Sequence, residues 1–143
     1  MTKKFAIIGN PIQHSLSPTL HNYWFKKYNI DANYKVLSVD EDKLTDIIKK
    51  IKDKTLSGIN VTLPYKQKIV PYLDTLVNDA RITSSVNTVL LDNEVIIGEN
   101  TDVYGLQAAY LKEIVNASKK SALIIGAGGV SASVVLSLEK SGV

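Results

Sequence analysis

The N-terminal half of the chain alternates short apolar runs with amphipathic helical segments, and this pattern limits the fold more than any other feature. Apolar runs of strand length lie at Phe5–Ile8, Tyr34–Val39 and 58–61. The segment before the third run has apolar residues at i, i+3, i+4 and i+7, as on one helix face: Leu44, Ile47, Ile48 and Ile51. An earlier helix begins at Ser17-Pro18, and one face of it, expected in the core, carries Leu20, Tyr23, Trp24 and Tyr28. Strand, helix, strand, helix, strand predicts a parallel sheet with right-handed crossovers.

The composition argues against several classes of protein. The chain has 143 residues and no cysteine, which excludes disulfides and thiolate metal sites, and its two histidines are too few for a zinc site. Arg81 is the only arginine among 17 basic residues, and the lysines are scattered, which argues against nucleic-acid binding. Because no apolar run approaches the ~18 residues of a membrane span, we expect no membrane association and a cytoplasmic location.

The segment Gly58–Lys66 carries polar side chains where a strand ends. Asn60 and Thr62 interrupt an apolar run, and Pro64 ends it because proline cannot donate a ladder hydrogen bond. Lys66 follows the carboxyl end of the strand, where ligands bind in open α/β sheets. The segment predicts a donor-rich corner for hydroxyl, carbonyl or carboxylate groups. Alternatively, Lys66 is solvated like other lysines, and Asn60 only satisfies strand-end backbone groups.

The pattern changes in the second half. Two apolar runs, Val86–Leu91 and Glu94–Ile97, flank Asp92-Asn93 and indicate an antiparallel hairpin. A helix face follows, with Val103, Leu106, Tyr110 and Ile114, and a polar stretch at 116–120 resembles a boundary. We therefore expect an α/β fold: a mostly parallel sheet with helices on both faces and an antiparallel hairpin over 1–101, a linking helix over 102–118, and a truncated Rossmann-like βα unit over 119–143.

This last unit combines a predicted strand at Ala122–Ile125 with a glycine loop at Gly126–Ser131 and a helix. Val130, Val134 and Leu138 give the helical period. Strand, glycine loop and helix form the first unit of a dinucleotide-binding fold, although an ordinary βα turn is the alternative. Since the residue that reads the ribose lies about 20 positions further on, the chain does not distinguish NAD from NADP. We expect either a fragment or a truncated relative, with exposed apolar surface that favours homo-oligomers.

Four other polar residues each have two interpretations. Ser15 and Ser17 lie at a helix start, which suits a carboxylate, but Ser17 could simply be the N-cap. Asn87 could serve a turn or a ligand. Asp102 could cap the helix from 103, or it could orient Lys66 and tune its proton affinity; sequence spacing leaves open whether the two side chains meet.

Taken in order, these segments resemble the shikimate dehydrogenase family over the whole chain. The resemblance is carried by Ser15–Pro18, Asn60–Lys66, Val86–Thr88, Gly98–Asp102 and Gly126–Gly129. The chain departs from the family at Ser84-Ser85, where small residues such as Gly-Ala are usual. It also lacks the family's C-terminal half, with the rest of the cofactor domain, a basic ribose-phosphate loop and a substrate-contacting glutamine.

The resemblance implies NADP-dependent, reversible reduction of 3-dehydroshikimate to shikimate in aromatic amino-acid biosynthesis. By resemblance, Lys66 and Asp102 are catalytic, with Lys66 as the proton donor. The resemblance implies that Ser15 and Ser17 bind the substrate carboxylate. It implies that Asn60, Thr62 and Asn87 contact the ring hydroxyls. The NADP contacts fall to Gly126, Ala127, Gly128, Gly129 and Val130. The alternatives are a shikimate-binding domain without turnover and, within the enzyme class, activity on quinate.

Overall fold

A computed structural model describes residues 2–114 and 121–143. The strands of the described part are β1 Lys3–Gly9, β2 Ala32–Ser38, β3 Gly58–Val61, β4 Thr75–Leu76, β5 Thr88–Asp92 and β6 Val95–Glu99. The α-helices are α1 Ser17–Lys27, α2 Leu44–Lys52, α3 Tyr65–Lys68, α4 Asp79–Thr83, α5 Asp102–Leu106, α6 Lys112–Ile114 and α7 Ser131–Lys140. Short 3₁₀ turns lie at Glu41–Lys43 and Val70–Tyr72, and a π-helical turn lies at Gln107–Leu111.

The strands form one sheet in the order β2-β1-β3-β5-β6-β4. β1 pairs in parallel with both β2 and β3, and Ile7 is in register with Val36 on one side and Asn60 on the other. β5 runs antiparallel to β3 and forms the hairpin with β6, and β4 pairs in parallel with β6. The predicted α/β class is confirmed, with a parallel half and an antiparallel hairpin.

Helices cover both faces of the sheet because β1 alternates its side chains. Ala6 and Ile8 pack into the larger core cluster with α2, while Ile7 packs on the opposite face, in the cluster that includes Phe25 of α1. The four predicted apolar residues of α2 are all buried: Leu44, Ile47, Ile48 and Ile51. The periodicity of α2 therefore identified its inner face correctly.

The prediction that the aromatic face of α1 lies in the core is wrong. Tyr23, Trp24 and Tyr28 are 58%, 42% and 63% exposed, and Leu20 is exposed as well. The reason is the anchoring of the helix by Asn22, whose amide donates to the Tyr34 carbonyl and accepts from the Tyr34 N–H, both at 2.9 Å. This pairing turns the neighbouring face of α1 to the sheet and the aromatic face away from it.

The hairpin is confirmed with shifted bounds. Its turn is Asn93-Glu94, with φ of 46° and 64°, rather than Asp92-Asn93, and β5 begins at Thr88. β4 and α4 had no sequence signal, because a two-residue strand and a five-residue helix are too short to show periodicity.

The helix that follows the hairpin changes its face at the π-helical turn. Val103 and Leu111 are buried, whereas Tyr110, predicted on the same face, is 61% exposed. A π turn adds a residue to the helical repeat, so the inward position moves from 110 to 111. The side chain of Ile114 and the predicted boundary at 116–120 lie outside what the structure describes.

The strand predicted at Ala122–Ile125 is wrong. These residues have no regular secondary structure, and Leu123 and Ile125 are 86% and 91% exposed. A strand needs a ladder partner, and in the described residues no strand pairs with this segment.

The helix predicted after the glycine loop is confirmed as α7. Its buried residues are Ser133, Leu136 and Ser137, so the inner face is not the predicted row Val130, Val134 and Leu138. The two serines explain the difference, because Ser133 accepts a hydrogen bond from Asn100 and Ser137 donates one to the Val103 carbonyl. No helix among the described residues is both long and apolar enough to cross a membrane.

The larger core makes a prediction about stability. Ile51 is fully buried in it, so Ile51→Ala leaves a cavity and should lower the free energy of unfolding by about 2–5 kcal/mol. Urea unfolding followed by circular dichroism measures this change. Ile82→Ala is the control, since Ile82 is 66% exposed and its truncation should change stability by about 0.5 kcal/mol or less. Equal midpoints for the two variants would contradict the core assignment.

The exposed apolar side chains near the C-terminus predict self-association. Sedimentation velocity should show the average mass rising with protein concentration, because the apolar side chains of Leu123 and Ile125 are almost fully exposed. The double variant Leu123→Ser/Ile125→Ser should reduce this rise, and Ile82→Ser, which removes a similar exposed side chain elsewhere, should not. A wild-type chain that stays monomeric at all concentrations would refute the prediction.

Candidate functional site

The candidate site begins where β3 ends. The Thr62 N–H donates to the Ile8 carbonyl at 3.0 Å, which extends the β1–β3 pairing by one residue. The Tyr65 N–H then donates to the Thr62 carbonyl at 2.8 Å, and the chain enters α3. Lys66 therefore lies on a short helix just past the carboxyl end of β3, as predicted. Its carbonyl accepts from the Val86 N–H at 2.8 Å, which joins α3 to the segment before β5.

Lys66 and Asp102 meet. The Lys66 ammonium donates to Asp102 Oδ2 at 2.6 Å, and the side chains are only 14% and 25% exposed. The N-cap of α5 is Thr101, and Asp102 is the first residue inside the helix, so of the two interpretations of Asp102 the N-cap is wrong. With no cap bond to make, the carboxylate is available to Lys66.

Asn87 holds the second oxygen of the same carboxylate. Its amide nitrogen donates to Asp102 Oδ1 at 2.8 Å. Its amide oxygen accepts from the backbone N–H of Thr101 at 3.0 Å, which fixes the orientation of the amide because a backbone N–H can only donate. Asp102 is thus held from both sides, by an ammonium group and by an amide.

Asn60 joins this group from β3. Its amide nitrogen donates to the Asn87 carbonyl and to Thr88 Oγ1, both at 3.1 Å. Its amide oxygen accepts from the hydroxyl of Tyr34 at 2.6 Å. Both amide hydrogens are used, so Asn60 can offer a ligand only an acceptor. The sequence expectation of a donor-rich corner is therefore wrong for Asn60.

The paired serines lie beside Thr62. A cavity of about 400 Å³ contains Ser15, Ser17 and Thr62 in its lining, with the exposed His14 among its other lining residues. The N-cap of α1 is Leu16, so Ser17 is not the cap; instead Ser15 Oγ accepts the N–H of Ser17 at 3.3 Å. Two hydroxyls next to a helix start suit a carboxylate group.

A second cavity, of about 520 Å³, separates Lys66 from the glycine loop. Its lining includes Thr62, Leu63 and Lys66 on one side and the predicted cofactor residues Gly126, Gly128, Gly129 and Val130 on the other. Thr62 and Leu63 line both cavities, so the two form one cleft from the serines to the loop. Of the predicted site residues, Ala127 alone is absent from the lining of either cavity and from the hydrogen-bonded group around Asp102.

The glycine loop has open space around its backbone. Gly126 has φ of +113°, which side chains rarely adopt, and added Cβ atoms at Gly126 and Gly128 would meet nothing within 4 Å. The loop leads into α7, and the start of a helix is in general a place that favours phosphate. No group of three His, Cys, Asp or Glu side chains among the described residues could hold a metal ion.

Four residues that sequence reasoning missed join the glycine loop and α7 to the rest of the chain: Ser85, Asn100, Ser133 and Ser137. Ser85, which is buried, donates to the Gly129 carbonyl at 2.9 Å and ties the loop to the N-terminal unit. The buried Asn100 donates to Ser133 Oγ at 2.8 Å, and Ser137 donates to the Val103 carbonyl at 3.2 Å. The only signal for Ser85 was its departure from the family pattern. Asn100 lies in the family-like segment Gly98–Asp102, but that resemblance gave it no role of its own.

A further missed residue with a part in the site is Tyr34, which reads as an ordinary strand residue. Burial raises the pKa of the Tyr34 phenol to about 12, against a smaller lowering by a hydrogen bond from Ser17. Its ring stacks on His21 with centroids 4.3 Å apart, and burial lowers the pKa of His21. The phenol is therefore a hydrogen-bond donor at physiological pH.

Comparisons with known proteins agree on one family. A family model for the shikimate dehydrogenase substrate binding domain matches residues 7–89. The chain is 46% identical over 140 residues to the shikimate dehydrogenase (NADP(+)) of Pelagibacter ubique, covering 98% of this chain and 53% of that protein. It is 42% identical over 138 residues to the Staphylococcus epidermidis protein of the same name, covering 96% and 51%.

Solved structures give the same result. The Thermus thermophilus shikimate 5-dehydrogenase, solved in complex with shikimate, superposes with a TM-score of 0.89 at 32% identity, over 99% of this chain and 54% of that one. A shikimate dehydrogenase solved with NADP+ gives 0.90 at 37% identity, over 97% and 48%. The chain spans about half the length of the curated relatives it matches.

The raised pKa of Tyr34 predicts a loss of stability at high pH. The unfolded phenol ionises near pH 10 and the folded one near 12, so the stabilisation is complete below pH 10 and is lost as pH rises towards 12. Urea midpoints of wild type and Tyr34→Phe should therefore differ most below pH 10, and the wild-type advantage should shrink above it. An advantage that stays constant or grows over this range would contradict the prediction.

Proposed function

The chain belongs to the shikimate dehydrogenase family, and we propose that it supplies the substrate-binding and proton-transfer half of an NADP-dependent enzyme that reversibly reduces 3-dehydroshikimate to shikimate in aromatic amino-acid biosynthesis. The observation that carries the proposal is the 2.6 Å contact between Lys66 and Asp102 at the junction of the substrate cleft and the glycine loop. An ammonium group held by a carboxylate at that junction suits protonation of a carbonyl that is being reduced.

The cleft matches the groups of the substrate. Ser15 and Ser17 offer hydroxyls for the carboxylate, at the cavity that Thr62 also lines. Thr62 is shared with the cavity of Lys66, so a six-membered ring bound at the serines extends towards the ammonium group. Thr62, Asn87 and Asn60 orient the ring hydroxyls, with Asn60 as an acceptor. Binding at several points of the ring fixes the reacting carbonyl relative to Lys66.

Lys66 and Asp102 manage the proton. In the reduction, Lys66 donates a proton to the carbonyl oxygen as that oxygen becomes a hydroxyl, and in the oxidation the neutral amine accepts it. Asp102 orients the ammonium group, while Asn87 holds Asp102 through its other oxygen. NADPH, when bound, supplies the hydride. Gly126, Ala127, Gly128, Gly129 and Val130 would hold its pyrophosphate end.

We further propose that residues 1–101 form the substrate unit, 102–118 the linking helix and 119–143 the start of the cofactor domain, in a cytoplasmic protein. A second candidate, a shikimate-binding module without turnover, is favoured by one observation: the described residues contribute only a loop and one helix start to a cofactor. Quinate, which carries the same carboxylate, is the alternative substrate.

Replacing Lys66 tests the proposal. Lys66→Ala should reduce shikimate-dependent NADP+ reduction by about 10²–10⁴-fold, because the proton donor and acceptor is lost, while shikimate affinity measured by calorimetry falls much less. Lys68→Ala is the matched control, since Lys68 is an exposed lysine of the same helix that pairs with Glu41, and it should behave as wild type.

The wild-type chain separates the candidates. Turnover with shikimate excludes the binding module, and shikimate binding without turnover, weakened by Lys66→Ala, supports it. Quinate in place of shikimate decides the substrate within the enzyme class. A wild-type chain that neither binds nor oxidises shikimate refutes both proposals.

A further inference from the structure

We propose that the hydroxyl of Tyr34 is a positioning group: it fixes the amide of Asn60 so that the oxygen, not the NH₂ group, is available to a ligand. The ligand assignment rests on the proposed function, whereas the orientation of the amide stands on the geometry alone. Tyr34 lies on β2 and Asn60 on β3, with β1 between the two strands, and the Tyr34 ring reaches over β1 to Asn60.

The hydrogen bond between Tyr34 and Asn60 has a fixed direction. Tyr34 is 4% exposed, and its hydroxyl lies 2.6 Å from Asn60 Oδ1. The phenol has one hydrogen, and an amide oxygen can only accept, so Tyr34 must be the donor.

The direction of this hydrogen bond determines where the other end of the Asn60 amide points. With its oxygen turned to Tyr34, Asn60 directs its NH₂ group to the Asn87 carbonyl and to Thr88 Oγ1. Thr88 accepts there, so its own hydrogen is free to go to Asn87 Oδ1, which lies 3.0 Å away. Asn87 then donates to Asp102. Every donor in the series points from Tyr34 towards Asp102, so the phenol is linked through Asn60 and Asn87 to the Lys66–Asp102 pair.

The consequence concerns specificity. Both hydrogens of Asn60 are used, and its oxygen keeps one free lone pair, so Asn60 accepts a hydrogen bond from a ligand and cannot donate one. A hydroxyl group satisfies this position and a carbonyl group does not. Without the Tyr34 hydroxyl, the Asn60 oxygen loses its only donor in the described residues, and the amide is less restrained.

The role is separable from the packing of the ring. Tyr34 stacks on His21, and its backbone N–H and carbonyl pair with Asn22, and neither contact involves the hydroxyl. Tyr34→Phe therefore removes the hydrogen bonds of the hydroxyl and keeps the other contacts. The matched control is Tyr65→Phe, because Tyr65 is also buried and its hydroxyl donates to the Val39 carbonyl at 2.7 Å, in the other core cluster.

The first measurement needs no ligand. The Asn60 side-chain NH₂ signals are identified by ¹H–¹⁵N NMR through their loss in Asn60→Ala. In Tyr34→Phe these hydrogens should shift and exchange with water at least several times faster than in wild type, whereas in Tyr65→Phe they should not. Unchanged Asn60 signals in Tyr34→Phe, or equal changes in both variants, would overturn the inference.

The second measurement is a double-mutant cycle on shikimate binding by calorimetry. Tyr34→Phe should weaken binding about fivefold to tenfold in the Asn60 background and by no more than about twofold in the Asn60→Ala background. Equal losses of affinity in both backgrounds mean that Tyr34 affects binding through the stability of the fold and not through Asn60, and they overturn the inference. If wild type binds no shikimate, the proposed function fails, and the NMR result alone decides the role of Tyr34. The NMR result is also decisive in the case that Asn60→Ala is too unstable for calorimetry.

Discussion

The contact between Lys66 and Asp102 is the interaction on which the organisation of the site depends. It joins residues 36 positions apart, one after β3 and the other after β6. The sheet order makes this possible, because β5 lies between those strands and brings Asn87 to the same place. A partly buried ion pair adds little net stability, since desolvation of the two charges offsets their attraction. Its value lies in holding an ammonium group at a defined point of the cleft.

Much of this arrangement could be predicted from the sequence. The alternation of strands and helices identified the parallel half, and proline after an apolar run placed Lys66 at the carboxyl end of β3. These signals are local, because a side chain's period or a missing backbone N–H acts within a few residues. The meeting of Lys66 and Asp102 depended on strand order and could not be read from spacing. The resemblance to a family supplied that pairing as an expectation only.

The failures have a common physical origin in contacts between distant residues. Apolar spacing on α1 favoured Trp24 for the core, but the polar pairing of Asn22 with the β2 backbone set the rotation of the helix. On α7 two of the three buried residues are serines, and their partners are Asn100 and the Val103 carbonyl. Hydrophobic periodicity contains no information about such partners. Tyr34 was missed for the same reason, since a tyrosine in a strand is ordinary until its hydroxyl finds a buried acceptor.

Counting donors and acceptors shows what the cleft can still offer a ligand. In residues 2–114 and 121–143, no buried side-chain nitrogen or oxygen lacks a partner. Asn87 uses its amide hydrogens on Thr101 and Asp102, so it can donate to a ligand only by giving up an existing bond. Lys66 has three hydrogens and gives one to Asp102. Lys66 therefore keeps hydrogens for a ligand, whereas Asn60 keeps only an acceptor. In the proposed function, this difference favours a carbonyl at Lys66, which needs a donor, and a hydroxyl at Asn60.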